Sequence, residues 1–181
     1  MAFVGGDDGS WRVDRILAVT GPGLPRVDRI KVLEGREAID RLPRRSWVLC
    51  GVTSHERYVE RSEREALRAR QAPLGRSSAS AAALIPIQKS PAWWDLAQDE
   101  RRAIFEERSH HIARSLPYLP RIARRLHHGR DLGEPFDFLT WFEFAPEDTP
   151  AFDELLGALR ETEEWRYVEH EVDIRLRRVD S

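Results

Sequence analysis

The sequence predicts an α+β fold of the ferredoxin-like kind, on three observations. The second half of the 181-residue chain reads as strand, helix, strand, strand, helix, strand; its apolar residues switch between a period of two and helical spacing; and turn-forming segments separate these elements.

Taken in order, a Gly-rich start precedes Trp11 to Val19, whose alternation suits a strand, and GPGLP at 21–25 forms a turn or loop. Ser46 to Val52, apolar and partly β-branched, is a second strand. Ser62 to Gln71 is rich in Glu, Arg and Ala, with Leu67 its main apolar residue, and predicts an exposed helix; GRSSAS at 75–80 is a linker. The run Ala83-Leu84-Ile85-Pro86-Ile87 opens the complete pattern, its proline fitting an edge or irregular strand. Ser90 then supplies an N-cap and Pro91 the first helical position of a region running to about Arg114, with a break near Gln98. Arg121 to His127 alternates Ile122, Arg124 and Leu126 on one face, GRDLGEP is a hairpin-type loop, and Phe136 to Phe144 alternates aromatic residues and Thr140. Thr149-Pro150 caps a helix through Phe152, Leu155, Leu156 and Leu159, and Val168 to Val179 closes the pattern with Val172, Ile174 and Leu176. Residues 1–80 offer strands and one helix without the full order. We therefore expect a shortened N-terminal half, 1–80, beside a complete C-terminal half, 81–181.

The net charge of -2 arises from 29 basic and 31 acidic residues scattered along the chain, which weighs against nucleic acid or anionic lipid as a partner. Cys50 is the single cysteine, so no internal disulfide or thiolate cluster forms, and its apolar setting predicts a small core residue. No stretch approaches the roughly 20 apolar residues that span a bilayer, and the N-terminus lacks the basic start and apolar run of a signal peptide; the expectation is a cytoplasmic protein. Nucleotide-loop, zincin, redox-thiol and nucleophile-elbow motifs are absent.

Six histidines stand at 55, 110, 111, 127, 128 and 170. Neighbours on a helix point about 100° apart, so His110 and His111 do not readily share one ion; His111, seven residues after Ile104, follows the apolar side. A histidine on a charged helix is ordinarily solvated, and that reading stays open on periodicity alone. Arg124 sits between Ile122 and Leu126 on its face. It is either an ordinary surface arginine or, if the face is inward, a cation held in an apolar place that needs an anion. The adjacent Trp93 and Trp94 project to different sides, one able to line a cavity while the other packs, although core filling by both is equally open.

Four segments together resemble the chlorite dismutase family, especially its short form: GVTSHERYVER (51–61), AALIPIQKSPAWW (82–94), DERRAIFEERSHHIARSLPYLPRIARRLHH (99–128) and DLGEPFDFLTWFEF (131–144). The resemblance covers most of residues 51–178, whereas residues 1–45 match little. It implies paired ferredoxin-like halves in a dimeric α+β barrel, haem b in the C-terminal half, and a homodimer. It further implies a haem b-dependent chlorite dismutase that takes chlorite, or another small anion, to chloride and dioxygen through ferryl haem and transient hypochlorite.

Family members carry the iron-ligating histidine thirteen residues before the residue overhanging the vacant side of the haem, and counting back from Arg124 gives His111. By the same resemblance Glu164, with Glu163 its nearest competitor, hydrogen-bonds that histidine, Lys89 and Trp93 hold haem propionates, and Tyr58 with the Val59 backbone makes a further propionate contact. Trp94 is assigned to packing. The alternatives within haem chemistry are a coproheme decarboxylase or a peroxidase-like enzyme. Arg124 stands where decarboxylases carry glutamine or histidine, and Ile85 where the Gram-positive type carries tyrosine. From another class, the chain is a non-catalytic haem-binding sensor, or a barrel without haem in which these residues are core.

Overall fold

The computed structural model describes residues 1–35, 45–53 and 58–179; His55, and with it part of the segment 51–61, lies outside them. Among the described residues nine strands run β1 (Ala2–Gly6), β2 (Trp11–Thr20), β3 (Arg29–Leu33), β4 (Trp47–Cys50), β5 (Val52–Thr53), β6 (Ala81–Lys89), β7 (Ala123–His128), β8 (Phe138–Phe144) and β9 (Val168–Arg178). Five α-helices accompany them among the described residues: α1 (Arg61–Arg70), α2 (Pro91–Asp95), α3 (Gln98–Arg102), α4 (His111–Ser115) and α5 (Thr149–Arg160).

All pairings are antiparallel, in the order β4-β1-β3-β2-β9-β6-β8-β7-β5. The C-terminal strands occur as last, first, third, second, the ferredoxin-like order anticipated from the β-α-β-β-α-β pattern, so the α+β ferredoxin-like class holds. The first four strands repeat the same order, although β1 and β3 were missed in the sequence. The helical crossover between β1 and β2 is replaced by residues 7–10. Gly9 makes this short path possible: its φ is +141°, and a Cβ there would lie 2.3 Å from the carbonyl oxygen of Ile30. Gly9→Ala is expected to cost roughly 2–4 kcal/mol, read as a lower denaturant midpoint; an unchanged midpoint would contradict this account.

β4 and β5 stand at opposite ends of the strand order yet are separated in sequence only by Gly51. The segment 47–53 therefore pairs β1 with its first part and β7 with its second, and the sheet closes into a barrel. A Cβ on Gly51 would stand 2.7 Å from the Cβ of His127, so the seam closes only around a residue without a side chain.

Alternation decides what faces in. The barrel is filled by Phe3, Trp11, Ile30, Trp47, Leu49, Leu84, Leu139, Trp141, Val172, Ile174 and Leu176 with their neighbours. The opposite face of β6 and β8 carries Ala83, Ile85, Ile87, Phe142 and Phe144 and is covered by Phe152, Leu155, Leu156 and Leu159 of α5. Each of those four α5 side chains is buried, a contribution of roughly 1.5–3 kcal/mol apiece. Cys50 is buried, as its setting predicted. No helix among the described residues is long and apolar enough to cross a membrane.

His127 points into the barrel, its Nδ1 3.2 Å from Thr53 Oγ1 and its ring edge-on to Phe3. Burial, then nearby positive groups including Arg125, pushes its pKa from 6.5 down to about 4. A histidine depressed in this way contributes stability that is complete above its unfolded pKa and is lost as pH falls from about 6.5 towards 4. Urea midpoints should therefore decline across that window in the parent and decline less in His127→Gln; parallel profiles would exclude His127 as the cause.

Candidate functional site

Between the outer face of the C-terminal strands and the helices lies a cavity of about 1140 Å3, counting its open mouth. β7 delivers Ile122, Arg124, Leu126 and His128 to it, since alternate residues on a strand share a face; β6 delivers Ile85, Ile87 and Lys89, and β8 delivers Phe138, Thr140 and Phe142. Arg124 therefore lines the cavity on the same face as Ile122 and Leu126.

The helical connection contributes the other wall. Ser90 caps α2, its Oγ 3.4 Å from the Trp93 amide, as Ser90-Pro91 predicted. Trp93 is 1% exposed and lines the cavity, whereas Trp94 turns away. Trp94 Nε1 donates to Asp137 Oδ2 at 3.2 Å, and its ring lies under the guanidinium of Arg130 at 4.1 Å. The break near Gln98 is present, because α2 ends before Leu96 and α3 starts at Gln98. A second break was not anticipated: a π-helical turn covers Ala103–Arg108 and His110 adopts φ 53°. His111 thus reaches the cavity by restarting a helix and not by continuing the face of Ile104, although its burial relative to exposed His110 is as expected.

Among the cavity's polar groups, Glu164 is the centre. Its Oε2 lies 2.8 Å from His111 Nδ1, its Oε1 accepts from Lys89 Nζ at 2.9 Å, and its amide donates to Ser109 Oγ at 3.0 Å. Lys89 Nζ also donates to the Glu164 carbonyl at 3.2 Å and lies 4.6 Å from the centre of the Trp93 ring. Burial alone would raise the Glu164 pKa, but the charge of Lys89, then that of His111, and hydrogen bonds from both hold it at about 2. The carboxylate therefore stays ionised throughout the neutral range. Glu163, the competing position, pairs instead with Arg108 at 2.9 Å on the surface.

An ionised Glu164 accepts only, so the Nδ1 it contacts must donate, and the lone pair of a neutral His111 imidazole resides on Nε2. The ring is further held by stacking on Phe105, 4.5 Å away, and on Trp165, 6.5 Å away. Tyr58 and Val59 line the same cavity, Tyr58 edge-on to Trp93 with its hydroxyl 3.4 Å from Arg101 Nη1. All seven site residues expected from the sequence, Tyr58, Val59, Lys89, Trp93, His111, Arg124 and Glu164, line this one cavity. Phe105, Trp165, Thr140 and His128 were missed. For Thr140 the period-two pattern through Phe138 and Phe142 was a usable signal, whereas nothing local distinguishes Phe105.

The chlorite dismutase family model matches residues 11–178. A crystal structure of dimeric chlorite dismutases from Nitrobacter winogradskyi superposes with a TM-score of 0.92 at 56% identity, covering 98% of this chain and 99% of that one. A mutant chlorite dismutase from Candidatus Nitrospira defluvii gives a TM-score of 0.63 at 27% identity over 75% of this chain and 56% of that chain. Chlorite dismutase of Ideonella dechloratans is 33% identical over 84 residues, which are 46% of this chain but only 27% of that protein's length.

Proposed function

Because the chain belongs to the chlorite dismutase family, we propose that it is a haem b-dependent enzyme converting chlorite to chloride and dioxygen, working as a homodimer like its dimeric relative from Nitrobacter winogradskyi. The observation that carries this reading is the convergence, on one largely apolar cavity, of a carboxylate-bound imidazole at His111 and a guanidinium at Arg124. In this reading residues 81–181 form the cofactor-bearing half, and the shortened half, 1–80, lends Tyr58 and Val59.

The lining fits haem b. Trp93 Nε1 is buried and, among the described residues, has no hydrogen-bond partner, which suits it to donate to a propionate. Lys89 uses two of its three N–H donors on Glu164 and keeps one for the same purpose. Tyr58 and the Val59 backbone would meet the other propionate, and the aliphatic and aromatic walls suit a porphyrin's faces.

A bound haem supplies the redox iron; the rest falls to the side chains. His111 would offer Nε2 to the metal, while Glu164, fixed in turn by Lys89, would hold its Nδ1 proton and so fix the orientation of the ring. Arg124 would draw an anion such as chlorite into a cavity whose apolar walls weaken screening, and would hold a small oxyanion beside the cofactor. Ile85, 1% exposed in the cavity wall, stands where a decarboxylase of the Gram-positive type would need tyrosine, which disfavours coproheme as the substrate.

The decisive experiment is reconstitution with haem b followed by oxygen measurement after addition of chlorite. A Soret band with rapid oxygen release supports the reading. Bound haem without oxygen turns the assignment to a decarboxylase, peroxidase or sensor, which feeding coproheme and peroxide then separates.

A further inference from the structure

His111 is the first residue of α4, a helix that begins directly after the left-handed His110. A helix that starts this abruptly leaves its first amides without intrahelical acceptors. His110, at the capping position, makes no side-chain cap. The deficit is met from the preceding π-helical turn: the Ile112 amide donates to Glu106 Oε2 at 2.6 Å and the Ala113 amide to Glu106 Oε1 at 3.2 Å. The Glu106 carbonyl also accepts from the His110 amide at 2.9 Å. One residue therefore grips the backbone on both sides of His111. Its sequence neighbour Phe105 stacks on the His111 ring, so the same turn sets both the backbone and the ring plane.

We propose that Glu106 is a positioning residue for His111, fixing the backbone from which the imidazole projects while Glu164 fixes the ring. The inference rests on His111 being the iron ligand. Charge-assisted bonds to two consecutive amides are stronger than neutral caps, and without them His111 would start a frayed turn. Precision at this position matters because an iron ligand must keep its nitrogen on the metal through each turnover.

The test compares the parent with Glu106→Ala and Glu106→Gln in two measurements: amide hydrogen exchange at residues 112 and 113 in cofactor-free protein, and the iron–imidazole stretching band of the ferrous haem-loaded protein. Glu106→Ala is expected to speed exchange at both amides by at least about tenfold. It is also expected to shift or split the band and to weaken haem binding by roughly 10- to 100-fold. Glu106→Gln keeps one oxygen acceptor and should restore the Ile112 amide and most of the parent band. Parent-like exchange in Glu106→Ala overturns the proposal, and so does faster exchange with an unaltered band, since Glu106 would then be a cap and nothing more. If the alanine variant does not fold, the glutamine variant decides: parent-like exchange at Ala113 there also overturns it. A parent protein with no band that His111→Ala removes would defeat the ligand reading itself, and is distinguishable from failure of Glu106 alone, where the parent has the band and the variant keeps it.

Discussion

His111→Ala is expected to fold and to lose haem b, with affinity falling by at least roughly 100-fold in a Soret titration, because removing the ligand itself should cost no less than removing the groups that orient it. The imidazole lies in a cavity wall with its side chain 17% exposed, so truncation opens space towards an existing void and leaves the barrel interior untouched. Nor does it orphan a buried charge. Lys89 remains at 2.9 Å from Glu164 and is the largest influence holding that carboxylate's pKa down, ahead of His111. The urea midpoint should thus move little while haem retention collapses. Parent-like haem titration in the variant would remove His111 from the role of ligand.

Arg124→Ala should separate binding from turnover in the opposite sense. Haem should remain bound, since His111, Trp93 and Lys89 are untouched, while the oxygen produced before inactivation falls by roughly 100-fold, the scale for losing one preorganised charge-stabilising donor. The strand itself should persist: the Arg124 carbonyl accepts from Gln71 Nε2 at 2.8 Å, a backbone contact that survives truncation. Escaping hypochlorite should bleach the haem and oxidise nearby tryptophan and tyrosine, so mass spectrometry of Trp93 and Tyr58 gives a second readout. Arg124→Lys keeps the charge without the planar fork and should fall between. Equal oxygen yield and equal durability in parent and Arg124→Ala would exclude this role.

The C-terminal half was legible because its strands are long enough to display alternation. Ile122, Arg124 and Leu126 form a face that can be read without knowing what covers it, and the spacing of Phe152, Leu155, Leu156 and Leu159 does the same for α5. β1 was not legible for a physical reason: Ala2, Phe3 and Val4 are all buried, so no polar residue marks an outer face, and two glycines follow. β3 is only five residues long, with one fully buried residue, Ile30. The site was legible through its resemblance more than its periodicity. The helical spacing that favoured His111 passes through a π-helical turn and a left-handed residue, so His111 is less exposed than His110 as expected, while the geometric premise fails. Glu106 left no trace in the pattern, because a glutamate within a charged helix looks the same whether it meets water or closes the next turn.

The seam at Gly51 also orders events in time. On a growing chain β4 can join β1 as soon as it emerges, since Ala2 pairs with Cys50, but Thr53 must await His127 and Val52 must await His128. At roughly 5–20 residues per second, the intervening 75 residues take about 4–15 s to synthesise. Through that interval the short edge beginning at Val52 has no mate, and the nascent protein is an open sheet. Pairing with β7 does not by itself seal the barrel, because β7 joins the sheet only through β8 and β2 meets β6 only through β9, so a polypeptide interrupted before Val168 would still lack the closed barrel.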